Sequence, residues 1–147
     1  MSERDARELS FAAAALLAQG RKVDRLSCGI TAAAIAVIAI VPAVAPQPPW
    51  TSIAFAVAAV LAGLAETYLA IRVGFDAQLF RRLARSEGFA SMDAALEQLG
   101  LLPAAKRGRP VEARVAGAMR LLRCQVLALA AQVLSVLAGA LMALSAG

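Results

Sequence analysis

The sequence predicts an all-α integral membrane protein with three transmembrane helices. Transmembrane helices 2 and 3 are expected to extend into a cytoplasmic antiparallel helical stalk, and an N-terminal amphipathic helix comes first. Three observations predict this. Hydrophobic residues make up 61% of the 147 residues, against about 45–50% in soluble domains. The surplus falls in three blocks, 26–45, 51–71 and 124–145. Each is near the ~20 residues that cross a ~30 Å hydrocarbon core at ~1.5 Å per residue. Finally, the 15 Lys and Arg residues lie on one side: five before the first block and ten between the second and third.

That asymmetry sets the expected orientation. Cytoplasmic loops retain Lys and Arg, so 1–25 and 72–123 are expected in the cytoplasm. The uncharged turn 46–50 and tail 146–147 are expected outside a bacterial-type inner membrane. A net charge of +5 in a soluble chain would suggest nucleic acid. Here the topology accounts for it, and no nucleic-acid partner is expected.

Residues 2–19 set Arg4, Asp5, Arg7 and Glu8 before Leu9, Phe11, Leu16 and Leu17 among alanines. Leu9, Ala13, Leu16 and Gly20 recur at helical spacing. Two placements follow: on the inner leaflet, with Arg21, Lys22 and Arg25 near anionic headgroups, or packed on the loop domain of the same chain. Gly20 either bends the chain or lets the helix run on.

In the first span, Cys28, Ala32 and Ala36 form a small i, i+4 face for a neighbouring helix. Pro42 falls in its last turn. Ala43-Val44-Ala45 has the form of a signal-peptide cleavage site, but Pro46 follows and the apolar run exceeds a signal h-region, so a retained signal-anchor is expected. The proline-rich turn makes spans 1 and 2 a hairpin, with Trp50 an interfacial anchor and Thr51 an N-cap.

The second span offers two small lines, Ala54, Ala58, Ala62 and Ala59, Gly63, Thr67. It continues past Arg72 with Val73, Phe80 and Leu83 on one stripe, and Gly88 is the expected stop. Ser91 to Gly100 reads as a short capped helix. Pro110 suits the first position of the last helix, whose stripe is Val111, Val115, Ala118 and Leu122. In the third span Ala131, Ser135, Gly139 and Ala143 form a small-xxx-small packing run.

No nucleophile–base pair, phosphate loop or metal cluster stands out, and the chain has no histidine. Cys28 and Cys124 read as small buried apolar residues, since a cytoplasmic disulfide is disfavoured. No enzyme activity and no cofactor are expected. The chemically distinctive residue is Glu66, about 24 Å along its helix from Trp50. A carboxylate at that depth faces protein or water rather than lipid. Expected partners are Gln132 or Thr31, or Arg25 or Arg123 bent inward. Thr31, Thr67, Gln132 and Ser135 are expected to line a polar seam with it.

The function expected is a non-enzymatic accessory, assembly or scaffold subunit of a homo-oligomer or larger membrane complex. Its basic stalk, with Arg72, Arg81, Arg82, Arg85, Lys106, Arg107 and Arg109, would contact anionic headgroups or a partner. The alternative is an oligomeric channel or transporter with Glu66 in an ion or proton pathway. The orientation predicts that a topology reporter fused after Gly147 responds as extracytoplasmic; a cytoplasmic response overturns it.

Overall fold

The computed structural model describes residues 2–45, 49–85, 97–98, 100 and 109–145. Its main elements are α1 (Glu3–Ala18), α2 (Gly20–Val44), α3 (Trp50–Leu83) and α4 (Val111–Ser145). No strand occurs among the described residues. Three stretches are long and apolar enough to cross a membrane: Glu3–Val44 taken across Gln19, Trp50–Leu83 and Val111–Ser145. These are the marks of a multi-pass membrane protein.

The helix α1 starts at a capping box. The Asp5 amide donates to Ser2 Oγ at 3.2 Å, and the Ser2 amide donates to Asp5 Oδ2 at 3.0 Å. Two orphan amides are satisfied this way. The bonds from Ser2 hold the Asp5 carboxyl below its ordinary range. Gln19 separates α1 from α2 by a single turn residue that keeps right-handed helical dihedrals (φ −67°, ψ −24°). The chain therefore changes helix at Gln19 without reversing direction, and Gly20 opens α2. Pro42 lies in the last turn of α2, where its ring costs little continuity.

The helix α3 begins at Trp50, one residue before the expected start, and its N-cap is Pro49 rather than Thr51. It ends at Leu83 with Ala84 as C-cap, so the helix stops short of Gly88. Val111 opens α4 immediately after Pro110, whose carbonyl accepts the Ala113 and Arg114 amides at 3.1 and 3.3 Å. The short helix expected over 91–100 lies largely outside the described residues. Within it Glu97 and Gln98 are helical, and Gly100 takes φ +69°, the left-handed stop that glycine permits.

The helices pack as an up-down-up bundle with α3 in the middle. Val73, Ala77, Phe80 and Leu83 of α3 are buried against Ala13, Ala14 and Leu17 of α1 and Ala118 of α4, flanked by Val115, Met119, Leu121 and Leu122. The helix α1 packs against α3 and α4. Its buried face is Ser10, Ala13, Ala14 and Leu17, while Leu16 is exposed. This corrects the stripe drawn through Leu16. The α3 stripe through Val73, Phe80 and Leu83 and the α4 stripe through Val111 and Ala118 are both buried.

One period runs through the bundle. On α4 the buried residues are Val111, Ala118, Gln125, Gln132 and Gly139, one every seventh position. On α1 and α2 Ala13, Gly20, Ser27 and Ala34 repeat the same step, and on α3 Ala59, Glu66, Val73 and Phe80 do so. A seven-residue repeat keeps a narrow seam facing the same neighbour along the bundle. The pairs Gly20–Gln125 and Ser27–Gln132 are hydrogen-bonded, each 105 residues apart. The same offset relates Ala13 to Ala118, which share a core, and Ala34 to Gly139, which line one crevice.

Phe80 fills the α1–α3–α4 core at 3% exposure. Replacing it with Ala should lower the unfolding free energy by about 3–5 kcal/mol, measured by thermal or denaturant unfolding in detergent. An unchanged midpoint would mean that this core does not hold the bundle.

Candidate functional site

Four of the buried polar residues form a column along the seam; Ser10, also buried, donates to the Ala6 carbonyl of its own helix. Ser27, Glu66, Gln125 and Gln132 are each fully buried. The helix periods place them: Gln125 and Gln132 are one heptad apart on α4, and the residues opposite them on α2, Gly20 and Ser27, are small. A longer residue at either position would fill the space that a glutamine side chain needs.

At the upper level, the Gln132 amide is fully used. Ser27 Oγ donates to Gln132 Oε1 at 2.8 Å. Gln132 Nε2 donates to Thr31 Oγ1 at 2.8 Å and to the Ser27 carbonyl at 3.2 Å. Thr31 Oγ1 in turn donates to the Ser27 carbonyl at 2.9 Å. Interhelical bonds of this kind contribute about 0.6 kcal/mol each, so the three bonds to Gln132 hold α2 to α4 by about 2 kcal/mol. Gly63 of α3 completes this level. A Cβ there would run into Thr31 Oγ1 and come within 2.7 Å of Gln132 Nε2, so its missing side chain lets α3 close over the network.

At the lower level, Gln125 Nε2 donates to Glu66 Oε1 at 2.7 Å and to the Gly20 carbonyl at 2.9 Å. One amide thereby ties α2, α3 and α4 together. A Cβ on Gly20 would lie 2.8 Å from Gln125 Oε1 and 3.0 Å from Val73 Cγ1; the glycine is what admits Gln125. Glu66 Oε2 and Gln125 Oε1 are buried with no hydrogen-bond partner.

Glu66 is thus bonded to Gln125, and not to the expected Gln132, Thr31, Arg25 or Arg123. Those two arginines are exposed. Thr67 is half-buried beside Glu66 in sequence, and Ser135 turns its hydroxyl onto the Ala131 carbonyl of its own helix at 2.9 Å. Neither belongs to the column. The seam is formed instead by Gly20, Ser27, Thr31, Gly63, Glu66, Gln125 and Gln132. Sequence reasoning misses Gln125, which stands at the edge of the third span. The signal that could have found it is the seven-residue step from Ala118 through Gln125 and Gln132 to Gly139.

The small-residue faces are also rearranged. Cys28, Ala32 and Ala36 are exposed, and so are Ala54 and Ala58. Both cysteines are free and exposed, so the buried placement expected of them is corrected. In the run Ala131, Ser135, Gly139, Ala143, only Gly139 is buried, with the β-carbon of Phe55 3.1 Å from the place its own Cβ would take. Ala131 is exposed, while Ser135 and Ala143 line a crevice of about 380 Å³ between α2, α3 and α4. The crevice has a simple cause. At this level the seam residues Ala34, Ala56 and Gly139 are all small, and helices at normal spacing cannot fill the space between them.

Beyond this column the surface turns basic. Arg72, Arg81, Arg82, Arg85 and Arg109 are exposed; Lys106 and Arg107 lie outside the described residues. Arg72 Nη1 donates to Tyr68 Oη at 3.2 Å. Burial raises the Asp76 carboxyl above its ordinary range, and the nearby charge of Arg72 partly opposes this. The exposed Arg4–Glu8 pair at 3.2 Å adds little stability.

Gly63 and Gly74 give a paired test. Gly63→Ala should cost about 1–3 kcal/mol through overpacking. Gly74 has nothing within 4 Å of its Cβ position, so Gly74→Ala should stabilise by up to about 1 kcal/mol through helix propensity. Unfolding midpoints in detergent read both; equal effects of the same sign would contradict the seam. No family model, no curated protein and no solved structure matches this chain.

Proposed function

We propose that this chain is a non-enzymatic accessory or scaffold subunit of a bacterial-type inner membrane. It assembles with itself or with a larger membrane complex. The N-terminus and residues 72–123 lie in the cytoplasm and the C-terminus outside, as the one-sided distribution of Lys and Arg indicates.

The observation that carries this reading is the division between inside and outside. Ser27, Glu66, Gln125 and Gln132 are turned inward and bonded between helices of one chain. The outward surface of the spans is mainly apolar, and the helix ends beyond them carry exposed arginines. The small faces of Cys28, Ala32 and Ala36 and of Ala54 and Ala58 are exposed, and small faces let a further helix approach closely.

The helices α3 and α4 have 34 and 35 residues, about 50 Å each, which exceeds a ~30 Å core. Their excess lengths form the antiparallel stalk, and α1 packs along it as a third helix. Arg81, Arg82, Arg85, Arg109, Arg120 and Arg123 are exposed there. Guanidinium groups in that density suit anionic headgroups or an acidic partner surface. The enclosure of Glu66 by helices of a single chain supports a structural role over a lumen shared between copies.

Native mass measurement after extraction in mild detergent tests the reading. The expected result is a stable oligomer or a complex with a second chain. A monomer at every protein concentration, with no co-purifying chain, overturns it.

A further inference from the structure

Among the described residues three buried side-chain oxygens lack a partner, Ser52 Oγ, Glu66 Oε2 and Gln125 Oε1, and the last two belong to side chains already in contact. Glu66 Oε2 and Gln125 Oε1 are both buried without a partner, while Gln125 Nε2 bonds Glu66 Oε1 at 2.7 Å. The orientation of the Gln125 amide is fixed. Turned over, its oxygen would meet the Gly20 carbonyl and Glu66 Oε1, two further acceptors.

Whatever occupies this place must supply a donor and offset a negative charge. A buried carboxylate without a cation is strongly disfavoured. Among the described residues Glu66 has no ion pair. The charged groups of the surrounding elements point away: Arg21, Lys22 and Arg25 of α2, Arg72 of α3 and Arg120 and Arg123 of α4 are exposed, and Asp24 is only half-buried. A bridging water would satisfy both oxygens and leave the charge. A metal cation would offset the charge, but hard cations take six or more oxygen ligands. Here Val73 Cγ1 and Leu122 Cδ1 crowd the same place as Gln125 Oε1, at 3.0 and 3.4 Å from the Gly20 Cβ position. A proton meets both needs and takes no space.

We propose that Glu66 and Gln125 form a proton-binding site, with the proton on Glu66 Oε2 donated to Gln125 Oε1. The neutral acid and the amide then bond reciprocally, each giving and accepting one hydrogen bond. Loss of that proton removes the donor that joins Oε2 to Oε1 and leaves a bare charge between α2, α3 and α4. The site therefore couples one proton to the contact between three helices.

Infrared spectra of the full chain in lipid nanodiscs at neutral pH test this, recorded in H2O and D2O. The expected result is a protonated-carboxyl C=O band that shifts in D2O and is lost in Glu66→Gln. Glu66→Gln should keep the bundle, because its amide supplies the same donor. Gln125→Leu retains Glu66 and should shift the band, since the acid loses the amide that bonds its carbonyl; this variant decides the matter if Glu66→Gln does not fold. Absence of the band in the native chain overturns the proposal, as does a band unmoved by Gln125→Leu. A melting temperature of the native chain that rises with Na⁺ or K⁺, and no longer does so in Glu66→Gln, assigns the place to a cation and also overturns it.

Discussion

The bundle depends on one constraint, the fit of two glutamines on α4 against small residues on α2. Gly20 and Ser27 leave room for Gln125 and Gln132, and each glutamine bonds the residue opposite it. Within a lipid bilayer apolar contact does not select one helix face over another, because the surrounding chains are as apolar as the helix. Hydrogen bonds and close approach must do so. A shift of one residue in register would set Gln125 against Arg21 and Gln132 against Cys28, leaving two amides without their carbonyls. A single polar residue fixes register in soluble coiled coils in the same way.

The rest of the architecture follows from that register. With α2 and α4 locked in parallel, α3 lies against both in the opposite direction, and its glycine at 63 and carboxyl at 66 meet the two glutamine levels. Below them the seam continues into ordinary side-chain packing, with Val73, Phe80, Leu83 and Leu17 buried. Above them the seam residues become alanine and glycine, and a crevice opens. The same seven-residue repeat thus runs from an apolar core, through a polar column, to an underfilled end. What changes is the size and chemistry of the side chain at each step.

A polar column of this kind carries both stability and chemistry. The Gln132 level is closed: every donor and acceptor of the amide is in use. The Gln125 level is open by two acceptor atoms. A satisfied network rigidifies, whereas an incomplete one is costly in a low dielectric. That difference of seven residues separates a purely structural contact from one with capacity to bind.

The sequence by itself determined the three long apolar helices. Three apolar blocks of spanning length set the helices, the proline-rich turn made the first hairpin, and the one-sided arginines suggested the orientation. It also determined the buried stripe of α3 beyond the spans, because there the alternation of arginine with Val73, Phe80 and Leu83 marks an inside and an outside. Only the tertiary structure decided which faces of the spans turn inward. Every small-residue line in them looked equally suited to packing, and those through Cys28 and Ala54 proved to face outward. It also decided the partner of Glu66. The physical reason is the same in both cases. In an alanine-rich span hydropathy is nearly uniform around the helix, so hydropathy alone marks no face there. The choice lies in the rotation that brings a carboxyl, two amides and two glycines to common levels, and rotation is a property of the assembled bundle.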